Sequence, residues 1–282
     1  MNPILLMAES GSDIKPEIAA KYGVAIVPMH VAFGGETRVD GSFPTSEMFA
    51  YYAKTRDLPR TSGCTPHDFE VVFERIFSEN PDQQILHLAY SACTTCSMQS
   101  GVIAAEGREN IRFVDTKQVS FAQGAVVVAM AEYLKENPEV TLDQAAEKAQ
   151  EIAKTVRMGF FPGDLDYLRA GGRVSNAAYL GAKLLSLHPL IEIIDGKLLS
   201  TKKYRGSMAK VVSKLVDEYA DQLAPAKPLY LLYGEGLEES IMRDVESIVR
   251  EKGFENFSWV QTGCVIAAHS GPGAFGIVGF AR

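Results

Sequence analysis

Short apolar runs alternate with longer amphipathic ones along this chain of 282 residues. Ile4–Ala8 has the length of a buried strand and stops at Glu9, after which a turn at Ser10-Gly11-Ser12 leads to a helical pattern over about Lys15–Tyr22. Val24–Val31 predicts a second strand, with Pro28 marking an edge or a bulge because proline brings no N–H to a ladder. Gln84–Tyr90 and Ile111–Asp115 predict further strands, each followed by a helical pattern, over Ser97–Glu109 and Ser120–Lys135. Thr141 and Gln144 have capping-box spacing and open another helix toward Thr155. Strands and helices in this alternation predict an α/β fold whose N-terminal part is a parallel sheet flanked by helices.

The pattern changes in the second half. Leu190–Ile194 and Lys197–Ser200 flank Asp195-Gly196, a two-residue hairpin signal. Helices are expected near Ser207–Leu223 and Leu237–Lys252, with a strand at Pro228–Tyr233 between them. Three short strands, Phe257–Gln261, Val265–Ala268 and Phe275–Phe280, are expected to close the chain. Gly159-Phe160-Phe161-Pro162-Gly163 interrupts the helical pattern, which places a boundary near Val156–Asp164. The expected division is residues 1–158, an α/β domain with a parallel sheet, and residues 159–282, an α/β domain with a mixed or antiparallel sheet. A cleft between two such halves is the default place for a ligand.

Composition narrows the partners. With 46% hydrophobic residues the chain has ample material for a core, and its net charge of −7 gives phosphate backbones and anionic lipid heads nothing to attract. A nucleic-acid role is therefore not expected. Ile4–Ala8 lacks the basic lead and the length of a signal peptide, and the longest apolar stretch, Gly124–Met130, falls far short of the ~20 residues that span a bilayer. No stable membrane insertion is expected, and the cytoplasm is the expected location. The four cysteines, Cys64, Cys93, Cys96 and Cys264, are too few and too irregular for a disulfide scaffold.

Three stretches put small hydroxylated residues where strands are expected to end. Arg60 to Pro66 (R-T-S-G-C-T-P) leads into a helix, with Thr65 and Pro66 as its N-cap and first position. Tyr90 to Ser97 (Y-S-A-C-T-T-C-S) lies between a buried strand and a helix, and Ala268 to Gly276 (A-H-S-G-P-G-A-F-G) holds His269 beside a Gly-Pro-Gly turn. Hydroxyls and backbone N–H groups at helix starts suit a carboxylate or phosphate, although turn and cap chemistry is the ordinary explanation of any one stretch. His269 is placed to donate to a carboxylate or to act as a base. His87, inside an apolar run, reads as a core histidine, and His30, His67 and His188 have no clear company. No two histidines have metal-ligand spacing, so neither a metal nor any other cofactor is expected.

Leu168 to Ser175 (L-R-A-G-G-R-V-S) joins one helix end to the start of another, with glycines for a C-cap and Ser175 as the next cap. Its arginines, and the run Lys202-Lys203-Tyr204-Arg205, have solvated charge as their ordinary explanation. Cys93-x-x-Cys96 at a helix start raises a rival reading, a thiol oxidoreductase; a hydrolase using a hydroxyl with His269 is another. The environment usual for a redox C-x-x-C is absent, and there is no Walker-type or dinucleotide loop to hold ATP or NAD.

Taken together these stretches resemble the DegV family of bacterial fatty-acid-binding proteins. Glu9 to Asp13 is similar to that family's T-D-S-T-S-D element, Thr61 to Pro66 to its T-S-Q-P-S-P, Leu168 to Ser175 to its L-x-x-G-G-R-I-S, and Ala268 to Gly276 to its H-x-G-P-G-A-x-G. The central loop departs from S-S-x-L-S-G-T-Y-Q-S: Ser91 keeps the first Ser, Ala92 replaces the second, Cys96 replaces a Gly, and Thr95, Ser97 and Gln99 fall on the later S, T and Q positions. The resemblance implies a two-domain protein without catalytic activity of its own, holding a long-chain fatty acid in an apolar inter-domain tunnel. It implies carboxylate binding by Thr61, Ser62, Ser91 and Thr95, with His269 nearby. It also implies a partner, an ATP-dependent fatty acid kinase subunit that phosphorylates the carboxylate, with Arg205 in a basic element available for docking.

Overall fold

The computed structural model describes residues 4–172 and 187–282. In chain order its elements are β1 (Ile4–Glu9), a 3-10 turn (Ser10–Ser12), α1 (Pro16–Tyr22), β2 (Ala25–Val27), β3 (His30–Phe33), β4 (Glu36–Val39), α2 (Thr45–Thr55), β5 (Arg60–Ser62), α3 (Pro66–Glu79) and β6 (Gln84–Ala89). There follow α4 (Ser97–Ala104), β7 (Ile111–Asp115), α5 (Phe121–Glu136), α6 (Leu142–Thr155), β8 (Val156–Phe161), α7 (Leu165–Ala170), β9 (Leu187–Ile194) and β10 (Lys197–Arg205). Helix α8 (Met208–Ala220), β11 (Leu229–Tyr233), α9 (Glu239–Glu251), β12 (Phe257–Gln261), α10 (Cys264–Ser270) and β13 (Phe275–Phe280) complete the described chain. The expected cap at Ser175, with Arg173 beside it, lies outside the described residues.

Two compact units emerge. The first comprises Met1–His30, Ser62–Thr155 and Asp195–Lys197; the second comprises Val31–Thr61, Val156–Ile194 and Leu198–Arg282. The excursion Val31–Thr61 thus belongs with the C-terminal part of the chain, which a single cut in sequence does not capture.

The first unit has a sheet of order β2-β1-β6-β7, and its paired strands all run parallel. Strands covered on both faces read as unbroken apolar runs, and β1 and β6 are buried along nearly their whole length. Phe69 and Phe73 of α3 and Phe121, Val126 and Val127 of α5 are buried with Leu86 and Leu88 in this unit's core. Thr65 caps α3 through a capping box with Asp68 and Pro66 opens the helix, as the spacing predicted. Thr141 and Gln144 exchange the same pair of bonds ahead of α6.

The second unit has a mixed sheet of order β10-β9-β8-β13-β11-β12. Strand β13 is buried throughout and pairs antiparallel with both β8 and β11, while β11 and β12 are parallel. Amphipathic helices cover the sheet: Val211, Val212, Leu215, Val216 and Tyr219 of α8 and Ile241, Val245 and Val249 of α9 join Leu231 and Ile277 in one apolar cluster. A three-stranded sheet, β4-β3-β5, is built around the Val31–Thr61 excursion.

Two expected elements differ. Val265–Ala268 is no strand but the middle of α10, whose Val265, Ala267 and Ala268 are buried. Helices α2 and α7 both pack against it, and a short run that is apolar all round has no periodicity to separate helix from strand. Val24–Val31 is not one strand but two, β2 and β3, in different sheets with Pro28 between them. Residues 159–161 end the helical pattern as expected by lying in β8, an interior strand of the mixed sheet. The Asp195-Gly196 hairpin forms as expected, with positive φ at both residues (48° and 81°), the backbone of a type I′ turn.

Buried charge ties the first unit together. Glu9, at the carboxyl end of β1, is fully buried. One carboxylate oxygen lies 3.2 Å from His87 Nε2; the other accepts from Tyr90 N at 2.9 Å and Gln123 Nε2 at 2.7 Å. Burial by itself raises the carboxyl pKa, but the His87 charge and these donors outweigh it and hold Glu9 below its ordinary 4.5. A carboxylate with a lowered folded pKa contributes stability above its unfolded value, and that contribution fades as pH falls through the folded one. Thermal unfolding of Glu9→Gln beside the wild type is expected to show the wild type more stable at pH 7, with the gap closing only below pH 4.5. A gap that stays constant into acid would contradict this account.

Candidate functional site

In the second unit the site starts from β5 and α10. Thr61 sits in the middle of the three-residue β5, and His269 occupies the last turn of α10. Thr61 Oγ1 lies 2.7 Å from His269 Nε2, with donor and acceptor set by the ring's tautomer. The Val31–Thr61 excursion holds the start of α10: Val265 N donates to Asp40 Oδ1 at 3.2 Å and Cys264 Sγ donates to the Phe43 carbonyl at 3.3 Å. Phe49 and Tyr52 of α2 meet Tyr167 of α7 edge-on, with ring centres 5.7 and 5.1 Å away. The far end of α10 is fixed by two backbone bonds, Gly163 N and Asp164 N donating to the Ser270 carbonyl at 2.8 and 3.2 Å. His269 is therefore carried on a short, buried helix clamped at both ends.

In the first unit the hydroxyls lie at the carboxyl end of the parallel sheet, where open α/β sheets present their ligand loops. Thr95 Oγ1 and Ser97 Oγ are 2.9 Å apart, and Ser97 Oγ accepts from Cys64 N at 3.0 Å. Gly63 allows this packing, since a Cβ there would stand 2.3 Å from Thr95 Oγ1 and 2.5 Å from Ser97 Oγ. Ser62, next to Thr61 in sequence, is exposed. Ser91 is buried and already engaged: its hydroxyl donates to the Gly196 carbonyl at 2.7 Å. The tip of the β9–β10 hairpin, Asp195 to Lys197, is grouped with this unit. It is also held by an ion pair between Lys117 and Asp195 and a weak contact of Cys93 Sγ with the Asp195 carbonyl at 3.8 Å.

The structure thus brings Thr61 to His269 and sets Thr95 beside Ser97. Ser91 faces the hairpin tip. Nothing in the sequence marks Lys117 for this contact, and Asp195-Gly196 reads there as a turn alone; no local pattern signals that a hairpin tip meets a distant loop. Arg205 ends β10, an edge strand, and is exposed. The four cysteines are free thiols: Cys93 and Cys96 are exposed, Cys64 and Cys264 buried, and burial pushes the Cys64 thiol up. His87 is the core histidine expected, paired with Glu9. His30 has gained a partner, Asp68 at 3.5 Å, and His188 lies 3.0 Å from the Gly206 carbonyl. Among the described residues no group of three or more His, Cys, Asp or Glu is arranged to hold a metal ion.

A parallel-sheet unit and a mixed-sheet unit, each presenting small hydroxyls, define an α/β protein. Comparison with known proteins makes the class specific. The sequence profile described as "Uncharacterised protein, DegV family" matches residues 3–282. The chain is 27% identical over 282 residues to the DegV domain-containing protein YejH of Lactococcus lactis, covering 98% of each. It is 26% identical over 278 residues to a DegV domain-containing protein of Streptomyces coelicolor, covering 98% of this chain and 97% of that one. Among solved structures it resembles a fatty-acid-binding DegV family protein from Thermus thermophilus, with a TM-score of 0.85, 25% identity and 99% of each chain covered. The fold is shared with DegV, a fatty acid binding protein from Bacillus subtilis, at a TM-score of 0.82 and 23% identity over 99% of each chain. The chain belongs to the DegV family.

Removing the Ser91 hydroxyl tests the hairpin contact directly. Ser91→Ala leaves the buried Gly196 carbonyl without this donor, and it is expected to lower stability by about 1–3 kcal/mol. Cys93, which borders the same tip, is expected to react faster with iodoacetamide in that variant. Unchanged unfolding and unchanged alkylation would mean that the tip is held without Ser91.

Proposed function

We propose that this chain binds a long-chain fatty acid and presents its carboxylate to a separate ATP-dependent kinase subunit, doing no chemistry alone. The observation that carries this reading is the hydroxyl–imidazole pair of Thr61 and His269 at 2.7 Å, in a member of a family whose Thermus thermophilus relative binds fatty acid. Burying an alkyl chain contributes roughly 0.8 kcal/mol per CH₂, so a long chain gains affinity without specific contacts. The carboxylate then needs donors, because an unpaired buried charge is prohibitive. Thr61 and His269 are its first partners in this reading, and Ser62, Ser91 and Thr95 are assigned to the head group with them. Ser91 joins only when its hydroxyl leaves the Gly196 carbonyl. The role is a cytoplasmic one in this reading; none of the described helices is long and apolar enough to cross a membrane.

Protein purified without added ligand is expected to release a fatty acid on extraction, identified by mass spectrometry. A bound nucleotide or phosphate ester with no acyl chain would overturn the proposal. Each charge-assisted bond lost from the head group is expected to cost about 1.5–3 kcal/mol of binding. Thr61→Val should therefore weaken binding by at least that much, and Ser91→Ala by less, since Ser91 must first give up a protein partner. The double variant is expected to bind no better than Thr61→Val alone.

The kinase must recognise surface rather than the buried acid. An arginine at the exposed end of an edge strand can hold a partner's carboxylates bidentately, and Arg205 has that position. Arg205→Ala is expected to retain fatty-acid affinity yet slow phosphorylation of the bound acid by the partner kinase, most clearly at sub-saturating carrier. Equal rates there would return Arg205 to the ordinary surface.

A further inference from the structure

Two adjacent glycines after α7 exist for different reasons. Gly172 has φ +65°, the left-handed region, and none of the described residues lies within 4 Å of where its Cβ would be. Its backbone conformation alone favours glycine. Gly171 has φ −69° and ψ −12°, which any L-residue adopts without strain. The space around it is what excludes a side chain. A Cβ at Gly171 would stand 2.1 Å from His269 Nδ1, 2.8 Å from Cε1 and 3.3 Å from Cγ, and those three ring atoms are its nearest neighbours. The imidazole therefore lies directly against the Gly171 backbone on its Nδ1 side, while Nε2 on its other side meets Thr61 at 2.7 Å.

Both sides of that contact are anchored. Gly171 N donates to the Tyr167 carbonyl at 3.1 Å, so the end of α7 is a regular helical turn, and Tyr167 is buried. His269 is held by the backbone bonds at the end of α10 described above. A ring held between the Gly171 backbone and the Thr61 hydroxyl keeps its orientation, and a methyl group on Gly171 would displace it.

We propose that Gly171 is a positioning residue, which sets the His269 ring so that Nε2 faces Thr61 and the bound acid. The proposal rests on the fatty-acid reading for its effect on binding, but its effect on the ring is independent of any ligand. In the full-length, delipidated protein, Gly171→Ala is expected to weaken oleate binding about tenfold, the equivalent of roughly 1.4 kcal/mol and of one well-placed hydrogen bond. In a His269→Ala background the same change is expected to alter affinity less than twofold, since there is no ring left to displace. Any loss of thermal stability in Gly171→Ala should likewise be relieved by His269→Ala, because the ring atoms are the nearest neighbours of the new methyl. Gly172→Ala is the control: it is expected to lower the unfolding temperature and leave oleate affinity unchanged.

Imidazole NMR of the ligand-free protein supplies the second readout. Gly171→Ala is expected to move the His269 resonances and their titration midpoint, and Gly172→Ala is not. Should wild type bind no oleate while Gly171→Ala still moves those resonances, the fatty-acid reading fails and the positioning role stands. An equal loss of affinity or stability with and without His269, or unmoved His269 resonances, would overturn the positioning role.

Discussion

A carboxylate removed from water needs partners on both oxygens, because its burial is otherwise prohibitive, and in the first unit Glu9 imposes that requirement on four segments together. Its partners come from the middle of β6, from the turn that follows β6 and from the first turn of α5. The carboxyl ends of β1 and β6 are thereby fixed to each other and to α5 before any surface loop is considered. The turn that begins with Tyr90 inherits this order. Ser91 N donates to the Gln118 carbonyl at 2.9 Å and Thr116 Oγ1 donates to the Ala89 carbonyl at 2.8 Å, so the loops after β6 and β7 settle on the same framework. The place of the Ser91 hydroxyl is a consequence of how Glu9 is satisfied.

The second unit obtains the same rigidity from apolar burial. Strand β13 has no exposed residue, and its pairing with β8 and β11 on either side leaves its register no freedom. The turn before it is bound on both flanks: Gly234 N donates to the Ala274 carbonyl and Gly273 N to the Glu235 carbonyl, each at 2.8 Å. That turn directly follows α10. The position of His269 is thus set by the most buried strand of its sheet, which begins six residues further on at Phe275.

How much of this was legible in the sequence depends on whether the signal was local. Asp195-Gly196, Thr65-Pro66 and Thr141 with Gln144 were read correctly because turn and cap chemistry acts over two to four residues. The parallel sheet was legible because strands buried on both faces leave unbroken apolar runs. Helix α10 was misread for a related reason, since a helix buried all round leaves the same trace as a buried strand. Glu9 looked like the polar end of an apolar run, and nothing nearby announced that its partners stand near positions 87, 90 and 123. In sequence Gly171 and Gly172 read alike, as a C-cap, and only the geometry separates a glycine required by φ from one required by a neighbour's ring. The motif resemblance located Thr61 and His269, but their mutual contact, made across 208 positions of sequence, is a property of the fold.

The two groups of hydroxyls also differ in what they can still offer. A hydroxyl carries one proton to donate and two lone pairs to accept with. Ser91 has spent its proton on the Gly196 carbonyl. Thr61 depends on its neighbour. When Nε2 of His269 carries the hydrogen, the ring donates to Thr61 Oγ1 and the Thr61 proton turns outward, ready for an anion. When Nε2 is bare, Thr61 donates to the ring and has nothing left to give. An anion approaching Thr61 favours the first arrangement, since only there does it meet a donor, and a ring held in one orientation keeps that arrangement within reach. The number of hydroxyls near an anion is then a poor measure of how well it would be bound. What counts is how many of their protons are unspent, and for Thr61 that is decided on the far side of an imidazole.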